Sequence, residues 1–166
     1  IKYCINIIKQ FGAIIIEKDR GIYVMGTETD KIKLTGIGTI DMDSSDAFLS
    51  IAALASYCNG ITKIVNIDNQ ELKECERISV IYNILKECNV NIVRENNELT
   101  IHGNPINNNN NNSVLVKCYN DHRIAMASSL LVFKNKIILD DYQCVNKTYI
   151  TYYDDLNKLG LQTNLY

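Results

Sequence analysis

Residues 84–103 read ILKECNVNIVRENNELTIHG, and residues 7–26 read IIKQFGAIIIEKDRGIYVMG. The two stretches align without a gap at a spacing of 77 residues. Ile7 and Ile8 fall on Ile84 and Leu85, Gly12 on Asn89, Ile15 on Ile92, and Gly26 on Gly103. Each stretch reads as one physical unit. A helix stops at Gly or Asn, the residues that tolerate a left-handed C-terminal position. A strand follows, then a tight turn (Asp19-Arg20-Gly21; Glu95-Asn96-Asn97), then a second strand. A weaker third copy starts at Leu156 (LNKLGLQTNLY), with Gly160 in the place of Gly12 and Asn89. A repeat of about 75 residues is too long for a solenoid of small repeats, so it predicts a domain built from similar α/β subunits.

The pattern continues between and beyond these hairpins. Residues 47–58 (AFLSIAALASYC) are apolar on nearly every side and predict a buried helix. Residues 61–67 (ITKIVNI) alternate and are β-branched, as a strand requires. Residues 71–88 carry Leu72, Cys75, Ile78, Ile81, Tyr82, Leu85 and Cys88 on one side, the pattern of an amphipathic helix. Strands are expected over 113–117 and 136–140, a second nearly all-apolar helix over 121–133, and a last amphipathic helix over 149–159. The expected class is α/β (α+β), with mixed sheets packed around central helices.

Composition narrows the function. The chain has 166 residues, 46% hydrophobic and 22% charged, with 17 Lys+Arg against 19 Asp+Glu. A net charge of −2 argues against a nucleic-acid protein held by bulk positive charge. No apolar run reaches the length of a membrane span. Ile1 is not Met and no cleavable signal pattern follows it, so the chain is expected to be part of something longer. The six cysteines (4, 58, 75, 88, 118 and 144) form no Cys-x-x-Cys and read as small buried hydrophobes in a reducing compartment. Six consecutive asparagines at 107–112 read as a solvated loop.

Polar residues that packing does not require gather at four expected helix starts. These are Ser44-Ser45-Asp46; Asn69 through Arg77; Tyr119-Asn120-Asp121-His122-Arg123; and Asn146-Lys147-Thr148. Asp46, Asn120, Asp121 and Thr148 each have an ordinary reading as N-caps, and Glu74 and Glu76 suit a helix dipole. The cations do not. Lys73 and Arg77, spaced as i,i+4 neighbours in a first turn, and His122-Arg123 stand where positive charge is unfavourable, and Lys147 lies just outside such a place. Only four residues of the chain are Arg, and two are placed this way. A helix start with added Lys or Arg is an anion site. Four of them converging would bind a ligand with several negative charges, with Asp46 and Glu74 near enough to move protons.

In this order, the constellations resemble the C-terminal part of 5-enolpyruvylshikimate-3-phosphate synthase. The matching motifs are Asp46-Ala47 before a buried helix; Asn69-x-x-x-Lys73-Glu74-x-x-Arg77; Tyr119-Asn120-Asp121-His122-Arg123-Ile124-Ala125-Met126; and Cys144-x-x-Lys147-Thr148. The third is the most diagnostic. The resemblance implies the enolpyruvyl transferase fold, with repeated βαβαββ subunits and helices aimed at a cleft between two domains. Residues 1–30 would then end a first subunit, 31–104 form a second and 105–166 a third, as most of one domain whose N-terminal partner is absent. The implied reaction joins phosphoenolpyruvate to shikimate 3-phosphate, releases phosphate, and needs no cofactor or metal. Asp46 is implied as proton acceptor and Glu74 as proton donor. Asn69 and Lys73 are implied to touch shikimate 3-phosphate, Arg77 and Arg123 the phosphoenolpyruvate carboxylate, Lys147 its phosphate, and His122 the same anion. No nucleic acid or membrane is implied, and the location would be cytoplasmic, or plastid if a targeting segment precedes Ile1.

Two departures bear on this. Glu71 stands where the family usually has Arg, either as a solvated surface residue or as a weakness in anion binding. The turn at Asp43-Ser44-Ser45 is short and lacks Pro, as in some arom-type fused proteins. With the partner domain's ligands missing, half a site is expected, inactive alone. Competing expectations are a non-catalytic relic or interaction domain of the same fold, and an enolpyruvyl transferase acting on a UDP-sugar.

Overall fold

A computed structural model describes residues 2–25, 33–42, 45–105, 112–133 and 135–164. Gly26, the Asp43-Ser44 turn and asparagines 107–111, singled out in the sequence, lie outside these residues. In chain order the elements are α1 (Lys2–Gln10), β1 (Ile14–Lys18), β2 (Gly21–Met25), β3 (Gly38–Asp41), α2 (Phe48–Ala55), β4 (Gly60–Val65), α3 (Arg77–Glu87), β5 (Asn91–Glu95), β6 (Glu98–Gly103), β7 (Ser113–Val116), α4 (His122–Ser129), β8 (Lys136–Leu139) and α5 (Tyr152–Lys158). Short 3-10 turns occupy Ser45–Ala47, Asp68–Leu72, Leu130–Phe133 and Tyr142–Lys147.

The repeat is real to the level of individual hydrogen bonds. After α1, α3 and α5 the chain enters a left-handed residue: Gly12 (φ 100°), Asn89 (φ 58°) and Gly160 (φ 93°). In each case the next amide donates back five residues, Ala13 to Ile8, Val90 to Leu85 and Leu161 to Leu156. This is the bond pattern that closes a helix when its stop residue can take positive φ. The two hairpins share one register. Ile15 faces Val24 and Glu17 faces Ile22, as Ile92 faces Ile101 and Arg94 faces Leu99. The third copy stops there, since residues 161–164 form no strand.

The central unit runs β3-α2-β4-α3-β5-β6, a βαβαββ order, in a four-stranded sheet ordered β3-β4-β6-β5. β3 and β4 are parallel, while β6 is antiparallel to both β4 and β5. β7 and β8 form a separate parallel pair, and β1 and β2 a separate hairpin. The mixed α/β class expected from sequence is the one observed.

Helix α2 packs on α3, α4, β4 and β6. Its Phe48, Leu49, Ile51, Ala52, Ala53 and Ala55 are all buried, which explains a helix with no polar face. Each large side chain buried there stabilises the fold by about 1.5–3 kcal/mol. Gly103 ends β6 against the C-terminal end of α2, and a Cβ on it would collide with the carbonyl oxygens of Ala55 and Cys58.

Three boundaries differ from the sequence reading. The helix expected over 71–88 starts at Arg77, because Asp68–Leu72 close a 3-10 turn and Lys73 is extended (φ −97°, ψ −158°). The apolar helix expected over 121–133 passes into a 3-10 turn at Leu130. The last helix starts at Tyr152 rather than 149, with Thr148 closing the preceding 3-10 turn instead of capping a helix.

Candidate functional site

Three short polar segments meet at one end of the central helices. Asp46 lies in the 3-10 turn leading into α2, and the residue at the helix boundary, Ala47, caps with no side chain. Arg77 opens α3, where Glu76 is the N-cap and its carboxylate accepts from the Ser79 amide. His122 and Arg123 open α4, where Asp121 is the N-cap and accepts from the Arg123 amide at 2.9 Å.

At the centre is a buried ion pair. Arg77 is 1% exposed and Asp121 fully buried. The Arg77 Nε donates to Asp121 Oδ2 at 2.7 Å, and Nη2 donates to Oδ1 at 3.2 Å, a two-pronged pairing that a guanidinium makes and an ammonium cannot. Burial pushes the Asp121 carboxyl up, but the Arg77 guanidinium and the Arg123 amide outweigh it and hold the group below its ordinary value. Burial likewise works against the Arg77 charge, and Asp121, Glu74 and Asp46 reverse it, leaving its pKa raised. The other Arg77 donors reach Glu74 Oε2 at 2.6 Å, Gln70 Oε1 at 3.1 Å and Asp46 Oδ1 at 3.4 Å. Burial, with the Asp121 charge beside it, pushes the Cys75 thiol up to about 12, so this cysteine is an inert neighbour.

Asp46 is the second centre. Lys73 Nζ lies 3.7 Å away, Arg77 Nη1 3.4 Å, and Arg123 Nη2 3.2 Å. Beside it opens a cleft of about 370 Å³ lined by Asp46, Ser50, His122, Arg123, Met126 and Tyr149, among others. The His122 Nδ1 is buried with no protein partner.

Backbone geometry sets the third segment. Tyr119 (φ 53°) and Asn120 (φ 56°) are consecutive left-handed residues just before the Asp121 cap. Asn tolerates that region; a bulky aromatic there is uncommon and is held by its surroundings. Lys147 contributes, donating from Nζ to the Asn120 carbonyl at 2.7 Å.

The structure therefore brings Asp46, Lys73, Glu74, Arg77, His122 and Arg123 together, with Lys147 attached through Asn120. Asn69 is exposed and joins through Gln70, whose amide donates to Asn69 Oδ1 at 2.8 Å. The idea of four helix starts needs correction. Arg77 and His122-Arg123 do open α-helices, but Asp46 sits in a 3-10 turn, Lys73 in an extended link, and Lys147 in the last turn of a 3-10 segment. Lys73 and Arg77 do not share a helical face; they meet through Asp46.

Three residues escaped the sequence reading in whole or part. Gln70, fully buried, joins Asn69 to Arg77, and nothing in its neighbourhood marks it. Tyr149 lines the cleft. Asp121 reads as a cap from sequence, and is also the main partner of Arg77. Glu71 pairs with Arg94 of β5 at 3.7 Å, which favours its reading as a surface residue. Glu74, Asp121 and His122 stand close enough to suggest a metal trio, yet both carboxylates are already paired with Arg77, so the trio is part of an ion-pair network.

The chain is similar to known proteins over nearly its whole length. Residues 1–156 match the family model described as EPSP synthase (3-phosphoshikimate 1-carboxyvinyltransferase). A 3-phosphoshikimate 1-carboxyvinyltransferase of Clostridium botulinum (strain Eklund 17B / Type B) is 34% identical over 134 residues, 78% of this chain and 30% of that protein. The pentafunctional AROM polypeptide of Pneumocystis carinii is 34% identical over 168 residues, 94% of this chain and 10% of that protein. The chain thus spans a third or less of these relatives. Among solved structures, an EPSP synthase from Acinetobacter baumannii superimposes with a TM-score of 0.79 at 23% identity, covering 93% of this chain and 38% of that one. The enolpyruvyl transferase NikO from Streptomyces tendae gives 0.74 at 16% identity, covering 95% and 35%, a likeness of fold. With a family match over nearly the whole length, the ordered motifs and the fold in agreement, the chain belongs to the EPSP synthase family.

Proposed function

We propose that this chain forms one wall of a site that transfers the enolpyruvyl group of phosphoenolpyruvate to the 5-hydroxyl of shikimate 3-phosphate and releases phosphate. The observation that carries the reading is the gathering of Lys73, Arg77 and Arg123 within 3.7 Å of one carboxylate, Asp46, beside an open cleft. Asp121 neutralises Arg77, while Lys73 and Arg123 flank Asp46 beside the cleft and suit a ligand that brings its own anions.

In this reading Asp46 takes the proton of the 5-hydroxyl, and that oxygen bonds to C2 of phosphoenolpyruvate. Glu74 gives a proton to the methylene carbon. The tetrahedral adduct then loses phosphate and a methyl proton to leave the enol ether. Arg77 and Arg123 hold the carboxylate, Lys147 the phosphate with His122 alongside, and Lys73 with Asn69 the 3-phosphate. The Arg77 donors are already taken by Asp121, Glu74, Gln70 and Asp46. A substrate carboxylate therefore displaces Glu74 or Asp46 from the guanidinium while Asp121 and Gln70 keep it aimed. Binding would release the acid and the base for proton transfer at the moment the substrate arrives.

The same reading divides the chain into subunits at 1–30, 31–104 and 105–166, and has an N-terminal domain of the same enzyme supply the other wall. A cytoplasmic or plastid location goes with it; among the described residues no helix is long and apolar enough to cross a membrane.

The test is phosphate release from the two substrates. The complete polypeptide is expected to turn over and the 166-residue chain alone is not; turnover by the latter refutes the half-site reading. In the complete enzyme Asp46→Ala should lower kcat by about 10²–10⁴ with a smaller change in KM. Arg123→Ala should chiefly raise KM for phosphoenolpyruvate, and an unchanged KM removes its assigned role. Saturable binding of a UDP-aminosugar in place of shikimate 3-phosphate would reassign the substrate.

A further inference from the structure

Arg77 has five N–H donors, and all five are used. Its four partners are of two kinds. Asp46 and Glu74 have side chains 47% and 43% exposed. Asp121 and Gln70 are fully buried. Of the four, Gln70 alone carries no charge.

An amide is costly to take out of water unless both of its ends are paired. Gln70 meets that demand from within the 3-10 turn Asp68–Leu72, where its backbone amide donates to the Ile67 carbonyl at 2.9 Å. Its Oε1 accepts from Arg77 Nη1 at 3.1 Å, and its Nε2 donates to Asn69 Oδ1 at 2.8 Å. The oxygen holds the Nη1 edge of the guanidinium, while Asp121 holds the Nε and Nη2 edge. Charge explains why an amide stands here. Asp121 already neutralises Arg77, and Glu74 and Asp46 bring two more carboxylates within reach. A carboxylate at position 70 would be a fourth, buried and fixed, and would repel an incoming anion. An apolar side chain would leave Nη1 with Asp46 as its remaining partner and tilt the guanidinium toward it.

We propose that Gln70 is a positioning residue that fixes Arg77 for a substrate carboxylate by being a hydrogen-bond acceptor without charge. It acts through the guanidinium and does not itself touch the substrate. A carboxylate arriving at Arg77 replaces Glu74 or Asp46, the half-exposed partners, and meets an arginine that is neither over-neutralised nor tilted. At its other end Gln70 holds Asn69, which is exposed and finds water when that bond is removed, so the effect falls more on one substrate than on the other. The inference rests on the reading of Arg77 as part of the phosphoenolpyruvate clamp.

Phosphate-release kinetics of the complete polypeptide test this, with urea denaturation of each variant as the check on folding. The parent comes first: if it releases no phosphate from the two substrates, the functional reading fails and this inference falls with it. With an active parent the variants speak to Gln70 alone. Gln70→Met keeps the volume and removes the acceptor. It should raise KM for phosphoenolpyruvate about tenfold and leave KM for shikimate 3-phosphate within about twofold. Gln70→Glu keeps shape and acceptor and adds a charge among Asp46, Glu74 and Asp121, with Lys73 and His122 nearby. Its KM for phosphoenolpyruvate, taken as a ratio to the parent's at each pH, should be high at about pH 8 and fall toward one at about pH 5.5, because a protonated carboxyl is again a neutral acceptor. The ratio cancels the titration of the groups both proteins share. A folded Gln70→Met with an unchanged KM for phosphoenolpyruvate overturns the inference, as does an equal rise for both substrates, which is what general loosening produces. A Gln70→Glu ratio that does not vary with pH also overturns it, and decides alone if the methionine variant fails to fold. Failure of both variants to fold makes Gln70 a packing residue and overturns it as well.

Discussion

The hairpins β1-β2 and β5-β6 share a register, a turn of the same length and a left-handed stop before their first strand. They differ in what lies against them. Beside β6 are β4 and the underlying α2, and Leu99 and Ile101 are sealed. Apart from β1, no described strand lies beside β2, and Ile22, Tyr23, Val24 and Met25 are all exposed. Local instructions are thus enough to draw a hairpin, while its stability is a property of the sheet that receives it.

Truncation should separate the two most sharply. Leu99→Ala is expected to cost about 2–5 kcal/mol, because it empties a packed site. Ile22→Ala in the 166-residue chain should fall within about 0.5 kcal/mol of the parent. Urea denaturation measures both, and equal losses would break the comparison. Amide exchange gives the next effect: β5-β6 should show protection close to that of the whole core, and β1-β2 should exchange far faster. At the helix stops the two regions should instead behave alike. Gly12→Ala and Asn89→Ala each place an alanine at positive φ, and each should cost about 1 kcal/mol.

Acid sharpens the contrast a last time. Asp121 has a folded pKa below its unfolded one, so its contribution is complete above the ordinary carboxylate pKa and is lost as pH falls through the depressed value. Protection in β5-β6, which shares a core with α4, should weaken over that range. Protection in β1-β2, already low, should hardly move. Hydrogen exchange at a series of pH values reads both.

Much of this is legible in the sequence. Gly12 and Asn89 announced helix ends through a conformational demand that few residues meet, and the apolar run 47–58 could only be a buried helix. The motif order named Asp46, Lys73, Glu74, Arg77, His122 and Arg123, and they do gather. Other features depend on partners far away in sequence. A 3.6-residue periodicity carried the third helix back to residue 71, because it does not register that Asp68–Leu72 close a 3-10 turn and leave Lys73 extended. Gln70 looks like any surface amide until Arg77 is seen to need an acceptor at Nη1. Ile22 and Leu99 follow the same alternation, and nothing in that alternation says which one will be covered.

Gly103 carries a consequence for how variation in this family is read. The backbone of β6 passes so close to the end of α2 that any side chain there meets the Ala55 and Cys58 carbonyls. On the proposed function, a mutational scan of the complete polypeptide should therefore find every substitution at this position as damaging as changes at Asp46, although Gly103 lies outside the cluster around Asp46 and Arg77. Intolerance there would report a steric boundary between two neighbouring backbones. Ranking positions by fitness alone would place it among the proposed site residues, and stability measured alongside activity tells the two apart.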